Sequence, residues 1–300
     1  MKVLITTDMY TANVNGVVTS VKNLIEELEK KGHDVRVLTV SEKLKSHKDG
    51  NVYFIKSVSL EAVYPKVRMP ISYRHRFITE LIEWKPDVIH SQCEFFSYQF
   101  ASHISKKTGA PIVHTYHALY EQYVTYVLPS QRLGEYFIGK LSKMRLKHAD
   151  VIVAPTQKVE HVLRNYGIQN SIQVIPSGIA LEKHKGQMPA EERQARRQAL
   201  GIPEDHTVLL NLGRLGTEKN LTELLQLLSV ELTHNKKVTL LIVGDGPARQ
   251  ELEEMADHLG IRDHVVFTGM VPPDEVHTYY QLGDIFVSAS TSETQGLTYV

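Results

Sequence analysis

A single cysteine, Cys93, stands in 300 residues. An intramolecular disulfide is therefore excluded, and no cluster of cysteine and histidine has the spacing of a zinc site. Such a chain fits a reducing cytoplasm. Long apolar runs are missing too. No stretch approaches the roughly 20 residues of a membrane span, and Val3-Leu4-Ile5-Thr6-Thr7, directly after Met1-Lys2, is too short for the core of a secretory leader. The expectation is a protein that neither leaves the cell nor crosses a bilayer. Low-complexity tracts and internal repeats are absent, and 42% hydrophobic with 23% charged residues describe a globular chain long enough for two domains.

Net charge is also absent, but the zero conceals an asymmetry. Residues 1–175 carry 23 Lys and Arg against 16 Asp and Glu, whereas residues 176–300 carry 11 against 18. A basic first half points to an anionic surface, phospholipid headgroups or nucleic acid.

What is present is a regular alternation. Short β-branched runs predict strands at Val3 to Thr7, Val35 to Val40, Val52 to Lys56, Val88 to Ser91, Ile112 to Thr115, Val151 to Ala154 and Ile172 to Ile175. Amphipathic runs predict helices at Val18 to Lys31, Phe96 to Lys107, Gly134 to His148 and Gln157 to Tyr166. The pattern lapses between Pro176 and Pro189, then resumes after a short charged helix, Glu191 to Leu200. Strands are expected at Thr207 to Leu212, Val238 to Val243, Val265 to Phe267 and Ile285 to Val287, with helices at Leu221 to Val230, Arg249 to Leu259 and Pro273 to Leu282. This rhythm predicts an α/β chain of two Rossmann-like halves, 1–180 and 181–300, with the ligand beyond the carboxyl ends of the strands in the cleft between them. Only four strands are expected in the second half, so its sheet reads as incomplete at the C-terminus.

The stretch with most chemistry is Gly213-Arg214-Leu215-Gly216-Thr217-Glu218-Lys219-Asn220. A strand feeding a glycine-punctuated turn and then a helix aims backbone N–H groups at an anion. Arg214 adds a planar fork and Lys219 a mobile charge, so the octet reads as a diphosphate site. An ordinary turn with two solvated cations is the alternative. No Asp-x-Asp occurs, so the usual carboxylate pair that holds a metal on a nucleotide diphosphate is missing, and the two cations would act in its place.

Other strand exits carry weaker signals. After the first strand only Gly16 stands where a dinucleotide fingerprint needs three glycines, which argues against an NAD enzyme. Pro111 to His117 is a strand leaving His117 at the cleft edge; His114 and His117, three apart, face opposite ways and do not make a metal pair. Gly244-Asp245-Gly246-Pro247 and Phe267-Thr268-Gly269-Met270 each end a strand. Glu293 is the one carboxylate between Asp284 and Val300.

In this order and spacing the motifs resemble the retaining GT-B glycosyltransferases of the Glu-x7-Glu type. The resemblance spans essentially the whole chain and rests on Asn15-Gly16-Val17, His117, Gly213-Arg214 with Lys219, Gly244 to Pro247, Phe267-Thr268-Gly269, and Ser292-Glu293 with Gly296-Leu297. It implies that Arg214 and Lys219 hold the nucleotide's diphosphate, that backbone near Gly16, Gly213, Gly296, Leu297 and Thr298 touches phosphates or sugar, and that Thr268, Gly269 and Met270 face the base. Glu293 would grip sugar hydroxyls and His117 would contact the sugar near the reacting centre. The family's second glutamate would fall one residue past Val300, so the natural protein is expected to continue.

Within the family, Thr7-Asp8-Met9-Tyr10 and His114 to Glu121 look most like 1,2-diacylglycerol 3-glucosyltransferases. By that resemblance the donor is UDP-glucose, the acceptor diacylglycerol, and neither metal nor cofactor is required. Physical chemistry adds a membrane signal. On the helix Gly134 to His148, Tyr136, Lys140, Lys143 and Lys147 share one face, with Phe137, Leu141 and Met144 adjoining. Lys66, Arg68, Arg74 and Arg76 lie in a stretch without acids, and Tyr120 stands near the acceptor motif. The expectation is a cytoplasmic enzyme peripheral to an anionic membrane at its inner face, with no nucleic-acid partner. A same-fold transferase with another sugar or a soluble acceptor, a UDP-sugar epimerase, and a non-catalytic nucleotide-sugar-binding protein are the alternatives.

Overall fold

A computed structural model describes residues 1–10, 16–60, 68–117, 131–179 and 186–299, with the side chains of 131–133 and 135 left aside. The chain separates into two compact units, Met1–Ile179 and Ala180–Val300.

In the first unit the strands are β1 (Lys2–Thr6), β2 (Asp34–Ser41), β3 (His47–Asp49), β4 (Val52–Ser59), β5 (Arg68–Pro70), β6 (Val88–Ser91), β7 (Ile112–Thr115), β8 (Val151–Ala154) and β9 (Ser171–Val174). The helices are α1 (Gly16–Lys30), α2 (Arg76–Trp84), α3 (Phe96–Thr108), α4 (Gln131–Leu146) and α5 (Gln157–Asn165). The sheet order is β3-β4-β2-β1-β6-β7-β8-β9, with β5 pairing β4. All pairs are parallel except β3 and β5 on β4. The order reverses at β1, so the carboxyl ends of β1 and β6 stand at a topological switch point. Alternation along β1 sends Val3 and Ile5 towards α1 and Leu4 to the α2 and α3 side, as a parallel sheet covered on both faces requires.

Three elements escape the sequence reading. β3 and β5 are too short to carry a period. The apolar positions of α2, Phe77, Ile78, Leu81 and Trp84, are all buried, but a run of arginines precedes them and dominates the local composition. The stretch read as a continuous basic segment is therefore partly strand and partly helix start.

The second unit has α6 (Ala190–Ala199), β10 (Thr207–Leu212), α7 (Leu221–Glu231), β11 (Val238–Val243), α8 (Arg249–His258), β12 (Val265–Gly269), α9 (Val276–Tyr280) and β13 (Ile285–Phe286). Its parallel sheet runs β12-β11-β10-β13. Every residue of β11 is buried, which explains its unbroken apolar sequence: Leu240 and Ile242 pack on the α7 and α8 side, Leu241 and Val243 on the other. Arg197 of α6 is buried and donates from Nε and Nη2 to Leu282 O, with Asp284 at 2.9 Å. Asp284 in turn accepts from Val208 N at 2.7 Å. One buried guanidinium thus clamps α6 to the start of β10.

Candidate active site

The exits of β10, β11 and β12 are laced together by main chain. Gly213 donates to Val243 O, Leu215 to Asp245 O, Ala248 to Leu215 O and Gly244 to Gly269 O, all at 2.9–3.0 Å. Gly244 has φ +134°, and a Cβ there would collide with the carbonyl oxygen of Gly213. The glycine is demanded by this backbone approach, not by a ligand.

Within the octet, the amides of Gly213, Leu215, Gly216, Lys219 and Asn220 all donate to carbonyls of the protein. The expectation of backbone donors free for an anion is corrected at these five positions. The stretch folds on itself through a single 3-10 turn, Thr217–Lys219, before α7 begins. What it offers outward are its cations. Arg214 Nη2 donates to Glu218 Oε1 at 2.6 Å and Lys219 Nζ to Glu293 Oε1 at 2.5 Å. The side chains of Lys219 and Glu293 are each 25% exposed, that of Arg214 36% and that of Glu218 4%.

Glu293 reaches Lys219 from the segment after β13. Gly296 there has φ +70°, and a Cβ would strike the Tyr299 ring. Leu297–Tyr299 forms a 3-10 turn, pinned by Tyr280 donating to Thr298 O at 3.2 Å. At the exit of β12, the hydroxyl of Thr268 donates to Gly269 O and the side chain of Met270 is exposed.

In the first unit, polar groups gather where β1, β6 and β7 end. His117 Nε2 donates to Gln92 Oε1 at 2.7 Å, leaving Nδ1 as the ring's acceptor nitrogen. Burial, reinforced by His114 and His90, pushes the His117 pKa down to about 3; burial and His114 push His90 down to about 4. His117 is therefore a neutral imidazole at physiological pH. His114 turns the other way, with Nε2 3.3 Å from Glu94 Oε1 and both side chains buried. Asp8 accepts from Ser97 N at 2.7 Å, tying the exit of β1 to the start of α3. Burial raises the Asp8 pKa to about 7 against the hydrogen bonds from Ser97.

The residues read as membrane-facing divide. Tyr136, Lys140 and Lys143 lie on the exposed side of α4, joined by Phe137 and Met144, which are 56% and 54% exposed. The helix ends at Leu146, short of the expected His148, so Lys147 is exposed in the turn that follows it. The Lys143 ammonium lies against Gly167, just past the end of α5, where the helix dipole favours a cation. Arg68 is a correction: its guanidinium donates to Ser41 O, Ser57 Oγ and Ser57 O, so the fork is spent inside the protein. Lys66, Tyr120 and Asn15 lie outside the described residues, and Gly16 begins α1 in an exposed position.

Residues 14–183 match the family described as Glycosyltransferase Family 4, and residues 192–300 match Glycosyl transferases group 1. The chain belongs to the GT-B glycosyltransferases. Among relatives of this glycosyltransferase, the alpha-monoglucosyldiacylglycerol synthase of Streptococcus pneumoniae is 35% identical across 100% of this chain and 68% of its own length. The protein of the same name from Acholeplasma laidlawii is 31% identical across 100% of this chain and 77% of its own length. The Anabaena HepE structure in complex with UDP-glucose superposes with a TM-score of 0.70 at 16% identity, covering 97% of this chain and 74% of its own. WaaG, a glycosyltransferase involved in lipopolysaccharide biosynthesis, gives 0.68 at 18% identity, covering 99% and 77%. These two likenesses establish the fold.

Sequence reasoning gave no candidate role to Glu218, Gln92, Glu94 or Asp8, which the structure places against the candidate residues or beside them. The last three each stand just past the end of a strand, a positional signal that was available. Glu218 gave no signal, because an acid between a threonine and a lysine in a turn reads as solvated.

Proposed function

We propose that this glycosyltransferase moves a glucosyl group from UDP-glucose to the hydroxyl of diacylglycerol, with retention and without a metal, at the surface of an anionic membrane. The carrying observation is the pair of cations at the exit of β10, Arg214 and Lys219, each seated on a carboxylate. The likeness to two monoglucosyldiacylglycerol synthases over the full chain supports the choice of substrates.

The bond from the anomeric carbon to the diphosphate breaks while a bond to the acceptor oxygen forms on the same face. The acceptor's proton passes to the departing phosphate oxygen. Negative charge grows on that diphosphate, and cations already held in place stabilise it without reorganising, usually the largest catalytic term. Glu293 serves two partners, Lys219 and the sugar hydroxyls. His117, kept neutral, meets the sugar as a hydrogen-bonding group and not as an acid.

The exposed face of α4 and the turn after it support the membrane reading: aromatic and sulfur side chains beside three lysines suit the boundary between headgroups and acyl chains. Among the described residues no helix is long and apolar enough to cross a membrane, so attachment would be peripheral, at the inner face of the cell membrane.

The test is UDP release from UDP-glucose with and without diacylglycerol in anionic vesicles. Lipid-dependent release with a glucolipid product is the expected result. Release without lipid would replace the acceptor by water or a soluble molecule, and binding of UDP without release from any sugar nucleotide would leave a binding protein.

A further inference from the structure

We propose that Glu218 is a positioning residue for Arg214, and that Gly216 has no side chain so that the Glu218 carboxylate can occupy the inside of the turn. The inference rests on reading Arg214 as a diphosphate contact.

Three observations converge. The Glu218 side chain is 4% exposed although it carries a charge, and such a group is rarely buried without a dedicated partner. Its Oε1 accepts from Arg214 Nη2 at 2.6 Å, a short charge-assisted bond that orients one edge of the planar fork. A Cβ at Gly216 would fall 2.5 Å from Glu218 Oε1 and 2.7 Å from its carboxyl carbon. The backbone of Gly216 is extended, with φ −117° and ψ 157°, a conformation open to any residue. A side chain here would therefore not strain the backbone but would push the Glu218 carboxylate off its place, and with it the bond to Arg214.

The arrangement has a cost as well as a use. A carboxylate beside the arginine weakens its attraction for a bound diphosphate, so on ground-state affinity the loss of Glu218 has two opposing effects. On the transition state it has one, because the charge that grows there is met well only by a fork already aimed at it. Glu218 should therefore govern kcat far more than KM.

The experiment compares Glu218→Ala, Glu218→Gln and Gly216→Ala, each checked for an unchanged melting temperature, by kcat and KM for UDP-glucose, with Arg214→Ala as reference. For Glu218→Ala the expected result is a fall in kcat of about tenfold to a hundredfold, the scale on which orienting partners act, with KM within about threefold. Glu218→Gln, which keeps the volume and one acceptor oxygen, recovers part of that loss. Gly216→Ala lowers kcat alone but adds nothing in the Glu218→Ala background, where the collision partner is gone. A Glu218→Ala enzyme within twofold of wild type in kcat, a Gln variant no better than Ala, or an additive Gly216→Ala would each overturn the proposal. Should Glu218→Ala fold poorly, Glu218→Gln against Gly216→Ala carries the same comparison. If Arg214→Ala itself leaves both UDP affinity and kcat intact, the diphosphate reading fails, and that outcome is separate from the three above.

Discussion

Lys219 and Glu293, 74 residues apart in the chain, meet ammonium to carboxylate at 2.5 Å. The contact brings the turn after β10 and the segment after β13 together at one spot. It joins the residue proposed to face the diphosphate to the one proposed to grip the sugar.

Removing Lys219 should lower turnover on the order of 100-fold, the effect of deleting one donor to a developing charge. Because the two side chains share this contact, Lys219→Ala and Glu293→Gln should not be additive. A double-mutant cycle on UDP release checks both points; wild-type turnover in Lys219→Ala would refute the role.

Arg197→Met should destabilise the second unit by about 1–3 kcal/mol, because it leaves the buried Leu282 carbonyl without its donor, while Asp284 keeps Arg193 and Val208 N. Burial acts to raise the Asp284 pKa, but hydrogen bonds from Val208 N, Arg193 and Arg197 bring it below its ordinary value. Its stabilising contribution is therefore full above the ordinary carboxylate range and is lost as pH falls through the depressed value. Urea titrations at neutral and acid pH should show the variant losing that acid-labile contribution.

His117 and His90 have pKa values near 3 and 4, depressed by burial and by neighbouring histidines. The unfolded chain binds protons at about pH 6.5 that the folded chain refuses. Their contribution to stability is thus complete above about pH 6.5 and declines as pH falls towards 4 and 3. Asp8, raised to about 7 by burial, acts in the opposite sense, with stability falling as pH rises from about 4 to 7. Chemical denaturation across this range should flatten at the acid side in His117→Gln and at the neutral side in Asp8→Asn. An unaltered profile in both would contradict the assignments.

Lys140 on α4 and Lys147 just past its end are exposed, and the ammonium of Lys143, also exposed, lies against Gly167 after α5. Near an anionic surface each such cation contributes about 1 kcal/mol. Lys140→Ala with Lys147→Ala should then lower partitioning onto anionic vesicles about 30-fold at low salt and less at high salt. Vesicle sedimentation measures it. Equal binding to neutral vesicles would remove electrostatics from the account.

Much of the architecture was legible in the amino-acid sequence. β10 and β11 lie where the apolar runs predict them, because a strand covered on both faces must be largely apolar along its length. The octet Gly213 to Asn220, His117 and Glu293 could be picked out as candidates because sites in parallel α/β sheets stand at strand ends, a rule of sequence position. Tertiary structure alone decided how charges are used. Arg68 looked like a surface cation until the β4–β5 pairing placed it over Ser41 and Ser57. The octet's amides looked available until the exits of β10 and β11 closed on one another. Glu218 carried no signal of its own until the turn folded it inward onto Arg214. Burial and periodicity are local properties, which a sequence carries residue by residue. The partner of a charge is fixed only when distant segments meet, and composition holds no record of that meeting.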